Sequence, residues 1–289
     1  MTTTTRDILV MGLPEAGKTT FIAALWHTVS SKEVDAILQM EYLQPSRDHL
    51  NEIAKRWREC VAVQRTIQGK ERSVTMNLRT SDGARRFQVT LPDTSGEAFQ
   101  RIFENRKWAA SFEGLVNRSD ALMFFVHPNS LVSPVRIDNV VEELVSIADG
   151  INVAGVEPPS GMPEQAVHWE ASRAAAQSKI LDLLQLVVQA KGSRPLKIVI
   201  VVSAWDLAEN ENLQPDNWIE KHAPLVWQFL NAHNKTRPFC VFGVSAQGRD
   251  YGNHAEMLRD YIKPSERISV MQGDRRSSDI TAPVLWAVE

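Results

Sequence analysis

The sequence predicts an α/β protein, a three-layer sandwich with helices on both faces of a mixed, mostly parallel sheet. Three observations lead there. Near-continuous apolar runs recur at Ile8–Met11, Ala121–Val126, Leu196–Val202 and Phe239–Val244, the pattern of strands buried on both faces. Stretches of helical periodicity separate these runs, the alternation that builds parallel sheets. Ser81-Asp82-Gly83 links two alternating runs, Ser73–Thr80 and Arg85–Leu91, as a tight hairpin, so one strand pair is antiparallel.

The first run enters Gly12-x-x-x-x-Gly17-Lys18-Thr19, the Walker A or P-loop pattern, and a helix-compatible run, Phe21–Trp26, follows. Strand, glycine-rich loop and helix stand in the order that phosphate binding needs. The glycines let backbone N–H groups turn inward, and the helix start adds its dipole. Pro14, Glu15, Ala16, Gly17, Lys18, Thr19 and Thr20 would wrap the phosphates. Lys18 would reach the β- and γ-phosphates, and the Thr19 hydroxyl would ligate Mg²⁺.

Ser30-Ser31-Lys32-Glu33 then breaks the pattern, and Ala36–Leu43 is a short apolar stretch of open type. Leu50, Ile53, Ala54 and Trp57 fall at i, i+3, i+4 and i+7, which predicts an amphipathic helix within Ser46–Trp57. The hairpin ends at Pro92-Asp93-Thr94-Ser95-Gly96-Glu97. Val140–Ala148 reads as helical, 150–164 as a surface loop rich in Gly and Pro, and Trp169–Ala190 as a long amphipathic helix with Gly192 as C-cap. A helix over Asp216–Asn231 precedes the last apolar run. Beyond it, His254–Ile262 predicts a short helix, 265–279 a loop, and Asp279 an N-cap for a final helix carrying Val284, Leu285 and Trp286. The chain reads as one domain over 1–289, with insertions at about 31–66 and 146–195 and an extension at about 264–289.

With 43% hydrophobic and 23% charged residues over 289 positions, the composition is globular and allows a sizeable core. A net charge of −3 carries no global signature of nucleic-acid binding. Cys60 and Cys240 are too few for a disulfide framework and fit a reducing, cytoplasmic compartment. The opening Met-Thr-Thr-Thr-Thr-Arg has no apolar core, so no signal peptide is expected, and no run approaches the ~20 residues of a membrane span.

Each remaining motif begins where a predicted strand ends, which is where ligands sit in such sheets. In Asp93-x-x-Gly96 the carboxylate can hold Mg²⁺ through water while the glycine N–H approaches a γ-phosphate; an ordinary turn uses the same residues. Asp206, in Ser203-Ala204-Trp205-Asp206, can accept from N1–H and the exocyclic amine of guanine, a donor pair that adenine lacks; a loop or cap aspartate is the plainer reading. Ser245-Ala246 can offer backbone N–H groups to the guanine carbonyl oxygen.

In that order the motifs resemble those of a translation-factor-related (TRAFAC-class) GTPase, over Asp7 to about Gly248. The Asp-x-Ser-Gly-Glu wording, the insertion after the P-loop helix and the closing Pro-Val-Leu-Trp resemble the bacterial double-GTPase group, which acts in conflict and defence systems. The resemblance implies a small-GTPase-like P-loop NTPase fold. It further implies a GTP/GDP switch that hydrolyses GTP with Mg²⁺, slowly without a partner, and signals to an effector or activating protein. A homo- or hetero-dimer stays open. It implies a switch threonine on Mg²⁺, for which Thr66 is the one threonine between Val29 and the Ser73 strand, and an arginine acting in cis, for which Arg65 stands beside it.

The chain departs from the pattern in places. Ala204 replaces the lysine that packs over the base, and Trp205 either supplies stacking or belongs to the core. Pro14 and Glu15 replace smaller loop residues. Glu97 stands where many members carry a water-orienting glutamine, as a base, a repelled charge or a helix-capping residue. An ATP-using P-loop phosphotransferase and a non-hydrolysing nucleotide-binding scaffold therefore remain as alternatives.

Overall fold

The computed structural model describes residues 3–42, 48–62, 72–93, 96–131 and 174–289. The described residues form one sheet of nine strands: β1 (Thr3–Gly12), β2 (Leu38–Met40), β3 (Arg72–Thr80), β4 (Arg86–Asp93), β5 (Ala121–Val126), β6 (Lys197–Ser203), β7 (Phe239–Ser245), β8 (Ser269–Gln272) and β9 (Arg275–Ser277). Their spatial order is β2-β3-β4-β1-β5-β6-β7-β8-β9. The central strands β4, β1, β5, β6 and β7 run parallel, and antiparallel strands flank them at both ends. The hairpin at Ser81 is β3–β4, with Val74 opposite Leu91 and Leu78 opposite Phe87.

Alternate residues of β1 feed two cores. Ile8 and Val10 pack with α1 (Lys18–Ser31), α2 (Asp48–Arg58) and α9 (Ala282–Val288). Leu9 and Met11 face the opposite layer, α3 (Gly96–Asn105), α4 (Ala110–Arg118), α5 (Ala176–Lys191), α6 (Pro215–His222) and α7 (Pro224–His233). Both faces are covered, so the run carries no polar alternation. The α1 helix is itself apolar nearly all round, with Phe21, Ile22, Leu25, Trp26 and Val29 buried, because α2 covers the side that the sheet leaves open. Trp26 Nε1 donates to Asn51 Oδ1 of α2 at 3.0 Å.

Several expectations need correcting. The stretch at 36–43, whose type the sequence leaves open, supplies β2, a short strand on the sheet edge. The helix expected over Asp216–Asn231 is two, α6 and α7, broken at Ala223; Pro224 has no N–H to continue the first and is well placed to start the second. Residues 265–279 are not a loop throughout: β8 and β9 form an edge hairpin turned by Gly273 at φ 52°. Asp279 does not cap α9. Its Oδ1 accepts from Thr281 N–H at 2.8 Å and its Oδ2 from Ile37 N–H at 2.9 Å, tying the helix approach to the start of β2. The helix near 254 is α8 (Tyr251–Arg259), which Asp250 caps by accepting from Asn253 N–H. The helix expected at Val140–Ala148, the loop at 150–164 and the start of the helix at Trp169 fall outside the described residues.

Candidate functional site

β1 ends at Gly12, where φ is 156° and an added Cβ would lie 2.8 Å from the Phe125 carbonyl oxygen, so only glycine fits. The chain turns through Leu13 to Ala16, and Ala16 N–H bonds the Leu13 carbonyl at 3.3 Å. Glu15, exposed at the tip, takes a left-handed φ of 63°. Gly17, at φ 82°, is the N-cap of α1. The loop therefore curls over a helix start, the positive end of the α1 dipole. Lys18 is only 7% exposed. Its Nζ donates to the carbonyls of Gly12 at 2.8 Å and Leu13 at 3.1 Å, and lies 5.7 Å from the centre of the Phe99 ring. Its ammonium is thus held across the loop. Thr19 and Thr20 follow, half-buried.

Ser203 ends β6 beside this loop. Its Oγ donates to the Val126 carbonyl at 3.3 Å, and a Cβ on Gly17 would lie 3.1 Å from its own Cβ. Ala204 takes φ 45°, a left-handed turn that leads into the short 3-10 helix Trp205–Leu207. Within it, Asp206 Oδ1 accepts a hydrogen bond from Ser245 Oγ, at the end of the adjacent parallel strand β7. Ser245 is 1% exposed, so this hydroxyl serves the carboxylate and not the solvent. A pocket of about 180 Å³ opens between Gly17 and Thr20 on one side and Ser203, Ala204, Ala246 and Gln247 on the other. Asp206 borders a different, larger pocket of about 430 Å³, walled by α8 and β9.

The structure places the Trp205 ring in the core. It is 1% exposed, meets Trp218 edge-on at 6.2 Å, and lies so close over Gly243 that a Cβ there would fall 2.3 Å from the indole. The ring has no face left for a base.

A family model described as Double-GTPase 1 matches residues 9–287, which takes in the P-loop, the β4 end, the Asp206 turn and the Ser245 loop. The chain belongs to the Double-GTPase 1 family. No curated protein matches it. Among solved structures it is similar to a bacterial selenocysteine-specific elongation factor, EF-Sec, at 14% identity and a TM-score of 0.37 over 89% of this chain; this chain spans 28% of that one. It is also similar to the Arl6 BBS3 small GTPase from Trypanosoma brucei with bound nucleotide analogue GppNp, at 13% identity and a TM-score of 0.36, covering 88% of this chain and 92% of that one.

In this Double-GTPase 1 chain, Asp93 is the last residue of β4, the parallel neighbour of β1, so it lies at the end of the sheet that carries the P-loop; Thr94 and Ser95 lie outside the described residues. Gly96 opens α3. Glu97 lies exposed in the first turn of that helix, where a negative charge complements the dipole. Arg65 and Thr66 lie outside the described residues. Among the described residues no group of three His, Cys, Asp or Glu side chains forms a metal cage. Mg²⁺ is commonly held by one or two protein oxygens plus substrate phosphates and water; Thr19, in the first turn of α1, and Asp93, the last residue of β4, are residue types of that kind.

His127 is a pocket residue that sequence reasoning missed. Its one signal is position, directly after the buried run of β5. Its Nδ1 accepts from Asn129 N–H at 3.2 Å, which leaves Nε2 as the N–H of a neutral ring. Burial pulls its pKa below the ordinary histidine value, against the Asp206 and Glu15 carboxylates, which pull it up.

Proposed function

We propose that this chain binds GTP with Mg²⁺, hydrolyses it slowly to GDP and phosphate, and reports its nucleotide state to a protein partner in the cytoplasm. The observation that carries this reading is the Asp206–Ser245 pair, at the same end of the parallel strands as the P-loop. A carboxylate fixed by a buried hydroxyl is pre-organised to accept two hydrogen bonds from one edge of guanine.

Each group then has a task. The loop N–H groups and the α1 start hold the β- and γ-phosphates, and Lys18 turns from the loop carbonyls to the phosphate oxygens. Thr19 and Asp93 are the residues to hold Mg²⁺, which supplies charge neutralisation on those oxygens. Gly96 offers an N–H to the γ-phosphate, and the start of α3 moves with it, which gives the partner something to read. Glu97, exposed in the first turn of α3, is our candidate to orient the attacking water. The conflict or defence setting is carried by the family resemblance alone.

Single-turnover phosphate release from GTP with Mg²⁺, for the unaltered chain and Lys18→Ala, tests this. Release that Lys18→Ala abolishes is expected. Tight GTP binding with no release above the Lys18→Ala level would identify a non-hydrolysing scaffold instead.

A further inference from the structure

We propose that Trp57 of α2 is a positioning residue for base recognition, fixing the Ala246–Gln247 peptide so that its N–H meets the six-position oxygen of the base. This rests on the guanine reading above. Trp57 Nε1 donates to the Ala246 carbonyl at 2.9 Å across 189 positions of sequence. In a trans peptide the carbonyl and the following N–H point in opposite directions. With the Ala246 carbonyl drawn towards the indole, the Gln247 N–H faces the other way, and both residues border the pocket beside the P-loop. Their side chains offer little to select a base. One is a methyl group, and the amide of the other donates to the Arg249 carbonyl at 3.0 Å. Peptide orientation is therefore the feature that selects.

The indole is itself immobilised. Trp57 is 0% exposed, the Arg267 guanidinium carbon lies 4.1 Å from its ring centre, and the His27 ring lies at 5.1 Å. Its own carbonyl accepts from Arg267 Nη2 and, at 3.2 Å, from the Tyr251 hydroxyl. Arg267 is 5% exposed and also donates to Cys60 Sγ at 2.9 Å, so the clamp is anchored at both ends of the turn after α2. A tryptophan acting as core filler alone would give the same burial without directing its N–H at this loop.

The test is calorimetry with Mg²⁺ on the full chain, Trp57→Phe and Tyr251→Phe, using GTP, ITP and 2-aminopurine riboside triphosphate. Hypoxanthine keeps the six-position oxygen and 2-aminopurine lacks it. For Trp57→Phe, which keeps the packing of a ring but loses the N–H, GTP and ITP should bind about tenfold more weakly and the 2-aminopurine nucleotide unchanged. Tyr251→Phe should give the same selective pattern at smaller size, and carries the test if Trp57→Phe does not fold. An equal loss for all three nucleotides, or no loss for GTP and ITP, overturns the proposal. Failure of the guanine reading is seen separately, as equal GTP and ATP affinity in the unaltered chain.

Discussion

Asp206 owes its orientation to one neighbour. The buried Ser245 hydroxyl occupies Oδ1, so the carboxylate cannot turn without breaking that bond. Asp206→Asn should weaken GTP binding about 10- to 100-fold, roughly 1.5–3 kcal/mol, and leave ATP binding unchanged in a fluorescent-nucleotide titration. Ser245→Ala should cost GTP up to about tenfold in the same assay. A stability prediction belongs to the same turn. Gly243 of β7 has no room for a Cβ against Trp205, so Gly243→Ala should destabilise the fold by about 1–3 kcal/mol, read as a lower denaturant midpoint. Of these residues Asp206 stands out in the sequence by its place after the strongest strand, third in the order of motifs. That Ser245 would serve it was not legible, since the bond spans 39 positions. His127 was missed because a histidine after a buried strand has no pattern of its own.

The elements that the sequence made legible are those buried on both faces. β5, β6 and β7 are continuous apolar runs because helices cover both their sides. β9 was invisible for the opposite reason: Arg275, Arg276 and Ser277 are all exposed, so no side chain records the pairing. The break between α6 and α7 is marked in the sequence only by Pro224, inside an apolar pattern that runs across it. The turn after Asp206 is held to α6 by Glu211, which accepts from Lys221 at 2.6 Å, His222 at 2.9 Å and Trp218 Nε1 at 3.1 Å. The Lys221 bond, aided by those of His222 and Trp218 against some desolvation, lowers the Glu211 pKa from 4.5 to about 2. A carboxylate depressed in the folded state stabilises above its unfolded pKa and loses that contribution as pH falls. The unfolding midpoint should therefore drop between pH 4.5 and about 2, and Glu211→Gln should flatten that dependence. Because the group is partly solvated, the effect is modest.

Across the molecule, the two ends of the chain close on each other. Arg6 Nε donates to the Val288 carbonyl at 3.3 Å, Lys197 Nζ to the Trp286 carbonyl at 2.8 Å, and Arg85 pairs with Glu289 at 2.6 Å. These contacts hold α9 beneath β1, β5 and β6, at the sheet end opposite the nucleotide loops. Ile280, 0% exposed in the core beside α1, should cost about 2–5 kcal/mol as Ile280→Ala, measured by thermal or chemical unfolding. If the segment leading into α9 only completes the core, that variant should keep its nucleotide preference at temperatures where it stays folded. On the proposed reading, the P-loop holds the phosphate chain and Asp206 chooses the base, with Ala204 in place of the usual lysine. The most direct measurement is calorimetric titration of the nucleotide-free chain with GTP and with ATP, both with Mg²⁺. GTP should bind at least tenfold more tightly, a preference that Asp206→Asn removes; ATP binding as tightly as GTP would contradict the guanine assignment.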